Sequence, residues 1–171
     1  MGCLTQLKEN IARVTVNLKT KQIRNVHLYE RNLRFKCKRC AVYCCKLGGP
    51  SLTKKDIEQL ESIGCDISEC IEPSKRQYAT FPFTSSVIKN QKDGSCIFLR
   101  KHKENEVYEC AIYDIRPALC RLYPFDFEKI NSNSFLLKFI PCCNGLNNAD
   151  GELVSKSFIE KYLLKNLYSI L

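Results

Sequence analysis

Cysteine is the residue type in this chain whose spacing points to chemistry. Cys37-x2-Cys40-x3-Cys44-Cys45 places four thiols within nine residues, and a short loop of this kind brings soft ligands to one point. Four thiols so close in sequence do not all bind one ion. Tetrahedral zinc sites combine a close pair with a distant pair, and ferredoxin-type clusters draw three ligands from a run and the fourth from elsewhere. Adjacent side chains in extended backbone point to opposite sides, so Cys44 and Cys45 are expected to serve different places. The remote candidates are Cys96, Cys110, Cys120 and one of Cys142 or Cys143, with Cys142 taken as the ligand. Together they give eight thiolates in two four-thiolate sites, the alternative being a single site with spare thiols.

The remaining chemistry-bearing residues add little that is independent. Cys3, Cys65 and Cys70 lack a partner at matching spacing and read as ordinary or buried apolar thiols. His27 and His102 are the only imidazoles, too scattered for a histidine-rich centre. No cysteine–histidine pair for nucleophilic catalysis can be argued, so enzymatic activity is left open. Gly48-Gly49 runs into Pro50 and follows no clear strand, which does not make a nucleotide fingerprint. Lys36, Lys38, Arg39 and Lys46 surround the first run, where cations stabilise thiolates. Arg116 and Arg121 flank Cys120 and are expected to bind the cofactor, donating to a cluster sulfur or holding an anionic substrate.

Twelve cysteines in 171 residues mean different things in different compartments. The first fourteen residues include Lys8, Glu9, Asn10 and Arg13 and show no apolar export segment. A cytoplasmic, reducing location is therefore expected, and thiols there read as metal ligands before they read as disulfides. Hydrophobic residues at 44% and charged residues at 26% suit one globular domain over residues 1–171. The apolar stretches are too short to span a bilayer, so no membrane partner is expected. The net charge of +9 suits anionic prosthetic groups, a protein or redox partner, or, with less support, nucleic acid.

The elements that must position the thiols follow from periodicity. Val14-Thr15-Val16 alternates like a strand, while Ile23, Val26 and Tyr29 recur at helical spacing. The cysteine run at 35–50 is a loop. Thr53 and Asp56 cap a helix over 54–63 that Gly64 stops. Residues 65–93, with Tyr78, Phe81 and Phe83, form an irregular connector. Residues 96–99 and 107–112 pair as a hairpin carrying Cys96 and Cys110, and Arg116-Pro117 opens a helical turn with Cys120. Phe125 and Phe127 alternate against Phe135, Leu137 and Phe139 in a second hairpin, and a helix over 153–171 caps the core. The fold class is α+β: a small single domain with short helices and two β-hairpins organised around cysteine-ligated metal sites.

Phe35-Lys36-Cys37-Lys38-Arg39-Cys40, Cys44-Cys45, Asp93-Gly94-Ser95-Cys96-Ile97-Phe98-Leu99 and the stretch from Cys110 to Phe125 together resemble the YkgJ-type cysteine cluster family, also called the CxxCxxCC zinc- or iron-chelating domain. The resemblance spans residues 35–143. Its most specific part reads Cys110, Ile112-Tyr113, Arg116-Pro117, Cys120-Arg121 and Tyr123-Pro124-Phe125. The family usually has two residues between its second and third cysteines, whereas Ala41-Val42-Tyr43 makes three here. The resemblance implies a small intracellular metal-chelating domain, similar to the cysteine-rich portion of a flagellin lysine-methylating enzyme associated with an iron–sulfur cluster. The functional expectation is a protein holding an iron–sulfur cluster, or clusters, through thiolates, in a redox role or as accessory to an enzyme. The alternative is a structural zinc domain that meets nucleic acid or an acidic protein partner.

Overall fold

The computed structural model describes residues 9–41, 43–74, 86–101 and 108–166. In chain order the elements begin with strands β1 (Glu9–Asn17), β2 (Gln22–Leu28) and β3 (Arg34–Phe35), then helices α1 (Lys54–Ser62) and α2 (Ile67–Cys70). Strands β4 (Ile71–Pro73), β5 (Ser86–Ile88), β6 (Leu99–Lys101) and β7 (Tyr108–Cys110) follow, then a 3-10 turn over Tyr113–Ile115 and helix α3 (Ala118–Leu122). Strands β8 (Phe125–Lys129), β9 (Ser134–Phe139) and β10 (Glu152–Leu153) precede helix α4 (Lys156–Phe158), which continues as a π-helical stretch over Ile159–Leu164. The architecture is mixed, with short helices and small antiparallel sheets. Among the described residues no helix is long and apolar enough to cross a membrane. Two compact units divide the chain: one runs up to Lys38 and resumes at Pro124, and the other runs from Arg39 to Tyr123.

The first unit is built on an antiparallel sheet of order β2-β1-β9-β8. Alternation drives it. Ala12, Val14 and Val16 on β1, Phe125 and Phe127 on β8, and Phe135, Leu137 and Phe139 on β9 are all buried, and each such side chain removed from water contributes about 1.5–3 kcal/mol. The expected hairpin pairs Phe125 with Phe139 and Phe127 with Leu137. On the exposed side, Lys138 pairs with Glu128. In place of the helix expected through Ile23, Val26 and Tyr29, Ile23 and Val26 lie on strand β2 and Tyr29 follows its end. A bulge explains the mistaken period: Val16 pairs with Ile23 and Thr15 with Asn25, leaving Arg24 as the extra residue. One inserted residue turns a two-residue alternation into a three-residue spacing that mimics a helix.

The C-terminal helix begins later than expected. Leu153 pairs with Arg34 between β10 and β3, and Ser155 caps the helix by accepting from Phe158 N–H at 3.3 Å. Phe158 meets the rings of Phe35 and Phe125 edge-on. The rest of the expected helix, from residue 167, lies outside the described residues, as do Cys3, His102 and the aromatic patch of Tyr78, Phe81 and Phe83.

In the second unit, α1 starts in a full capping box. Thr53 Oγ1 accepts from Asp56 N–H at 3.1 Å and Asp56 Oδ2 accepts from Thr53 N–H at 2.9 Å. Leu52, Leu60, Ile88, Cys96, Phe98 and Ile112 form its buried core, with Cys45, Cys65, Cys70 and Cys110 packed against them. The connector after α1 is more ordered than the sequence suggests, since β4 pairs with β5. The 96–110 hairpin is present in shorter form: Leu99 pairs with Cys110, and Cys96 lies before the strand in a bridge to Asn90.

Candidate metal centre

The cysteine run does not follow extended backbone. Arg39 and Ala41 occupy the left-handed region at φ 52 and 51, a conformation that non-glycine residues adopt only where the surrounding structure holds them there. A turn follows, in which Leu47 N–H donates to Tyr43 O and Gly48 N–H to Cys45 O, both at 3.3 Å. That turn brings Sγ of Cys44 to 3.8 Å from Sγ of Cys45. The two sulfurs therefore share one place, contrary to the expectation drawn from the alternation of extended chains.

Three further thiols are positioned by separate elements. Cys96 is tied directly to the run, its N–H donating to Cys45 O at 2.8 Å, and Gln91 Nε2 donates to Cys96 O at 2.9 Å. Cys110 ends β7, where Ala111 N–H donates to Phe98 O at 2.9 Å. Cys120 lies in α3, whose first N–H, that of Ala118, donates to Asp56 Oδ1 at 2.9 Å. Pro117 precedes the helix and fixes its entry.

These five sulfurs respond to one another. The Cys45 thiol is pushed up by its side-chain hydrogen bonds with Cys110 and Cys44, and burial adds to the effect. Its partners move the other way: the hydrogen bond with Cys45 brings Cys110 down to about 6 and Cys44 down to about 7. Burial raises Cys96 and Cys120, and the negative charge of neighbouring thiols raises them further. The Arg116 guanidinium opposes this by favouring the thiolate at Cys44, Cys110 and Cys120, and Arg100 does the same at Cys96 and Cys110. Arg116 is fixed by its Nε–H, which donates to Tyr113 O at 2.9 Å, and Arg121 donates to Arg116 O.

The other expected ligands are placed differently. Cys37 is an exposed free thiol of the first unit, and Cys40 is a half-buried free thiol of the second. Cys142 is disulfide-bonded, so while that bond stands its sulfur has no thiolate to offer. Cys143 is the free member of the pair and accepts from Gly145 N–H at 3.4 Å. Cys65 and Cys70, read from the sequence as unpartnered, form a disulfide across α2, with Cα atoms 6.9 Å apart. His27 stands on exposed β2 with its ring edge-on to Tyr29. Asp56, Arg100 and Tyr113 are not among the site residues expected from the sequence: Asp56 reads there as a helix cap and Tyr113 as part of the family-like stretch, and nothing in the spacing points Asp56 to Ala118.

Among the described residues, no three Cys, His, Asp or Glu side chains are arranged to hold a metal ion as they stand. The donor set fits one by its chemistry: five soft thiols from four chain segments, two of them with lowered pKa values. The family model CxxCxxCC, described as "Putative zinc- or iron-chelating domain", matches residues 36–144. An uncharacterized protein of Methanocaldococcus jannaschii, MJ0661, is 29% identical over 147 residues, covering 82% of this chain and 73% of its own. No solved structure matches the chain.

Proposed function

The chain belongs to the CxxCxxCC family of zinc- or iron-chelating domains, and from that premise we propose that the thiols of its second unit hold an iron–sulfur cluster. The observation that carries this reading is the mutual influence of Cys44, Cys45, Cys96, Cys110 and Cys120 beside Arg116. Near neutral pH Cys110 enters mostly, and Cys44 about half, as thiolate. Cys45, Cys96 and Cys120 would release their protons to solvent as the metal binds, since binding selects the deprotonated form. Arg116 and Arg100 supply positive charge against the sulfurs. A bound cluster would accept and release single electrons, which fits a redox role or service to an enzyme. Among the described residues eight free thiols suit a reducing setting, against which stand the Cys65–Cys70 bridge and the bonded Cys142.

One specific observation favours a second reading, a single zinc ion. The 3.8 Å between Cys44 and Cys45 sulfurs matches the edge of a tetrahedron with metal–sulfur bonds of ~2.3 Å. In a cubane, by contrast, each thiolate binds its own iron and the cluster stands between them. A structural zinc would lock the loop and hairpin together, leaving the basic surface to meet an acidic protein or nucleic acid. Protein purified without oxygen decides between the two. Brown protein containing iron and acid-labile sulfide supports the cluster, colourless protein with stoichiometric zinc supports the second reading, and protein with neither metal overturns both.

A further inference from the structure

Tyr113 is clasped between two guanidinium groups. Cζ of Arg39 lies 3.9 Å from the ring centroid and Cζ of Arg116 lies 3.8 Å from it. Two groups at contact distance cannot share one face of a ring, so they occupy opposite faces. Each such contact is an attraction between a cation and the negative face of the aromatic ring. The three residues come from two distant parts of the sequence: Arg39 sits inside the cysteine run, while Tyr113 and Arg116 sit between Cys110 and Cys120. Arg39 is exposed and its backbone is left-handed, so the loop presents this side chain from a conformation with few alternatives.

Without the stack, bringing Cys44 and Cys110 together means closing a long loop, with its entropic cost.

We infer that Tyr113, held between Arg39 and Arg116, is a positioning residue of the thiol centre: it latches the first cysteine run onto the Cys110–Cys120 segment. The inference rests on the reading of these thiols as a metal centre.

The test is a titration of the full-length, metal-free protein with cobalt(II) in the absence of oxygen, following thiolate-to-cobalt absorption in competition with a chelator. Tyr113→Leu removes both stacking faces and is expected to weaken binding about 10-fold or more, the scale of losing an outer partner of a metal site. Tyr113→Phe keeps the faces and is expected to bind like the wild type. Arg39→Gln is expected to weaken binding about 3-fold in a metal-free protein that still folds, as its cooperative unfolding transition shows. Should Tyr113→Leu fail to fold, Arg39→Gln, at an exposed side chain, decides the matter. Wild-type affinity in Arg39→Gln and Tyr113→Leu would overturn the latch, as would equal losses in Tyr113→Phe and Tyr113→Leu. A wild-type protein that takes up no cobalt refutes the metal-centre reading itself.

Discussion

The N–H of Ala118 donates to Oδ1 of Asp56 at 2.9 Å, and the other oxygen of that carboxylate accepts from Thr53 N–H and Oγ1–H. One buried side chain thus closes the start of α1 and the start of α3, which carries Cys120 two residues on. Truncating it leaves several buried donors unsatisfied at once. Asp56→Ala is expected to destabilise the protein by about 2–4 kcal/mol, read from urea unfolding. A loss below about 1 kcal/mol, the scale of a single cap, would show that the bond to Ala118 contributes little.

Gly49 is a second point where the chain has no freedom. A Cβ there would collide with the backbone carbonyl of Ile88, and Gly49 N–H donates to Asn90 Oδ1 at 2.7 Å. Gly49→Ala must push the cysteine run away from β5. Its thermal unfolding midpoint is expected to fall by several degrees, and an unchanged midpoint would mean that this approach relaxes freely.

Legibility in the sequence followed the range of the interaction. The capping box of Thr53 and Asp56, the stop at Gly64 and the alternation of Phe125, Phe127, Phe135, Leu137 and Phe139 depend on neighbours a few residues away, and each appears as a pattern. Strand β2 was misread because the bulge at Arg24 disguises its period. The adjacent sulfurs of Cys44 and Cys45 were misjudged because alternation holds only for extended backbone, and left-handed residues at 39 and 41 lead into a turn. The sandwich around Tyr113 depends on tertiary packing, which residue spacing does not encode, whereas the Cys65–Cys70 bridge is local and went unread because a reducing setting was expected.

The bridged cysteines stand apart from the proposed chemistry. Cys65 and Cys70 flank α2 and satisfy each other covalently. The double variant Cys65→Ser with Cys70→Ser is expected to keep the metal content of the wild type while unfolding at lower temperature, since the bridge restrains the unfolded chain. A variant stripped of metal would place these sulfurs in the centre instead.

Thiol reactivity should report the proton arrangement of the metal-free protein. An unfolded cysteine ionises at about 8.5, whereas the folded chain holds Cys110 at about 6 and Cys44 at about 7. Between those values the folded state binds fewer protons, so these two thiols stabilise it increasingly as pH rises, and their contribution is lost as pH falls through about 6. Burial holds Cys96 and Cys120 protonated over the same range. Iodoacetamide labelling near neutral pH, mapped by mass spectrometry, is expected to modify Cys110 and Cys44 first. Equal labelling of all four would contradict this arrangement.

X-ray absorption at the metal edge of the protein as purified without oxygen reads the donor atoms themselves. Thiolate chelation by the second unit predicts a first shell of sulfur alone at about 2.3 Å, reduced in Cys110→Ser and Cys120→Ser and unchanged in Cys37→Ser. A shell of nitrogen and oxygen, or a sulfur shell indifferent to Cys110 and Cys120, would contradict it.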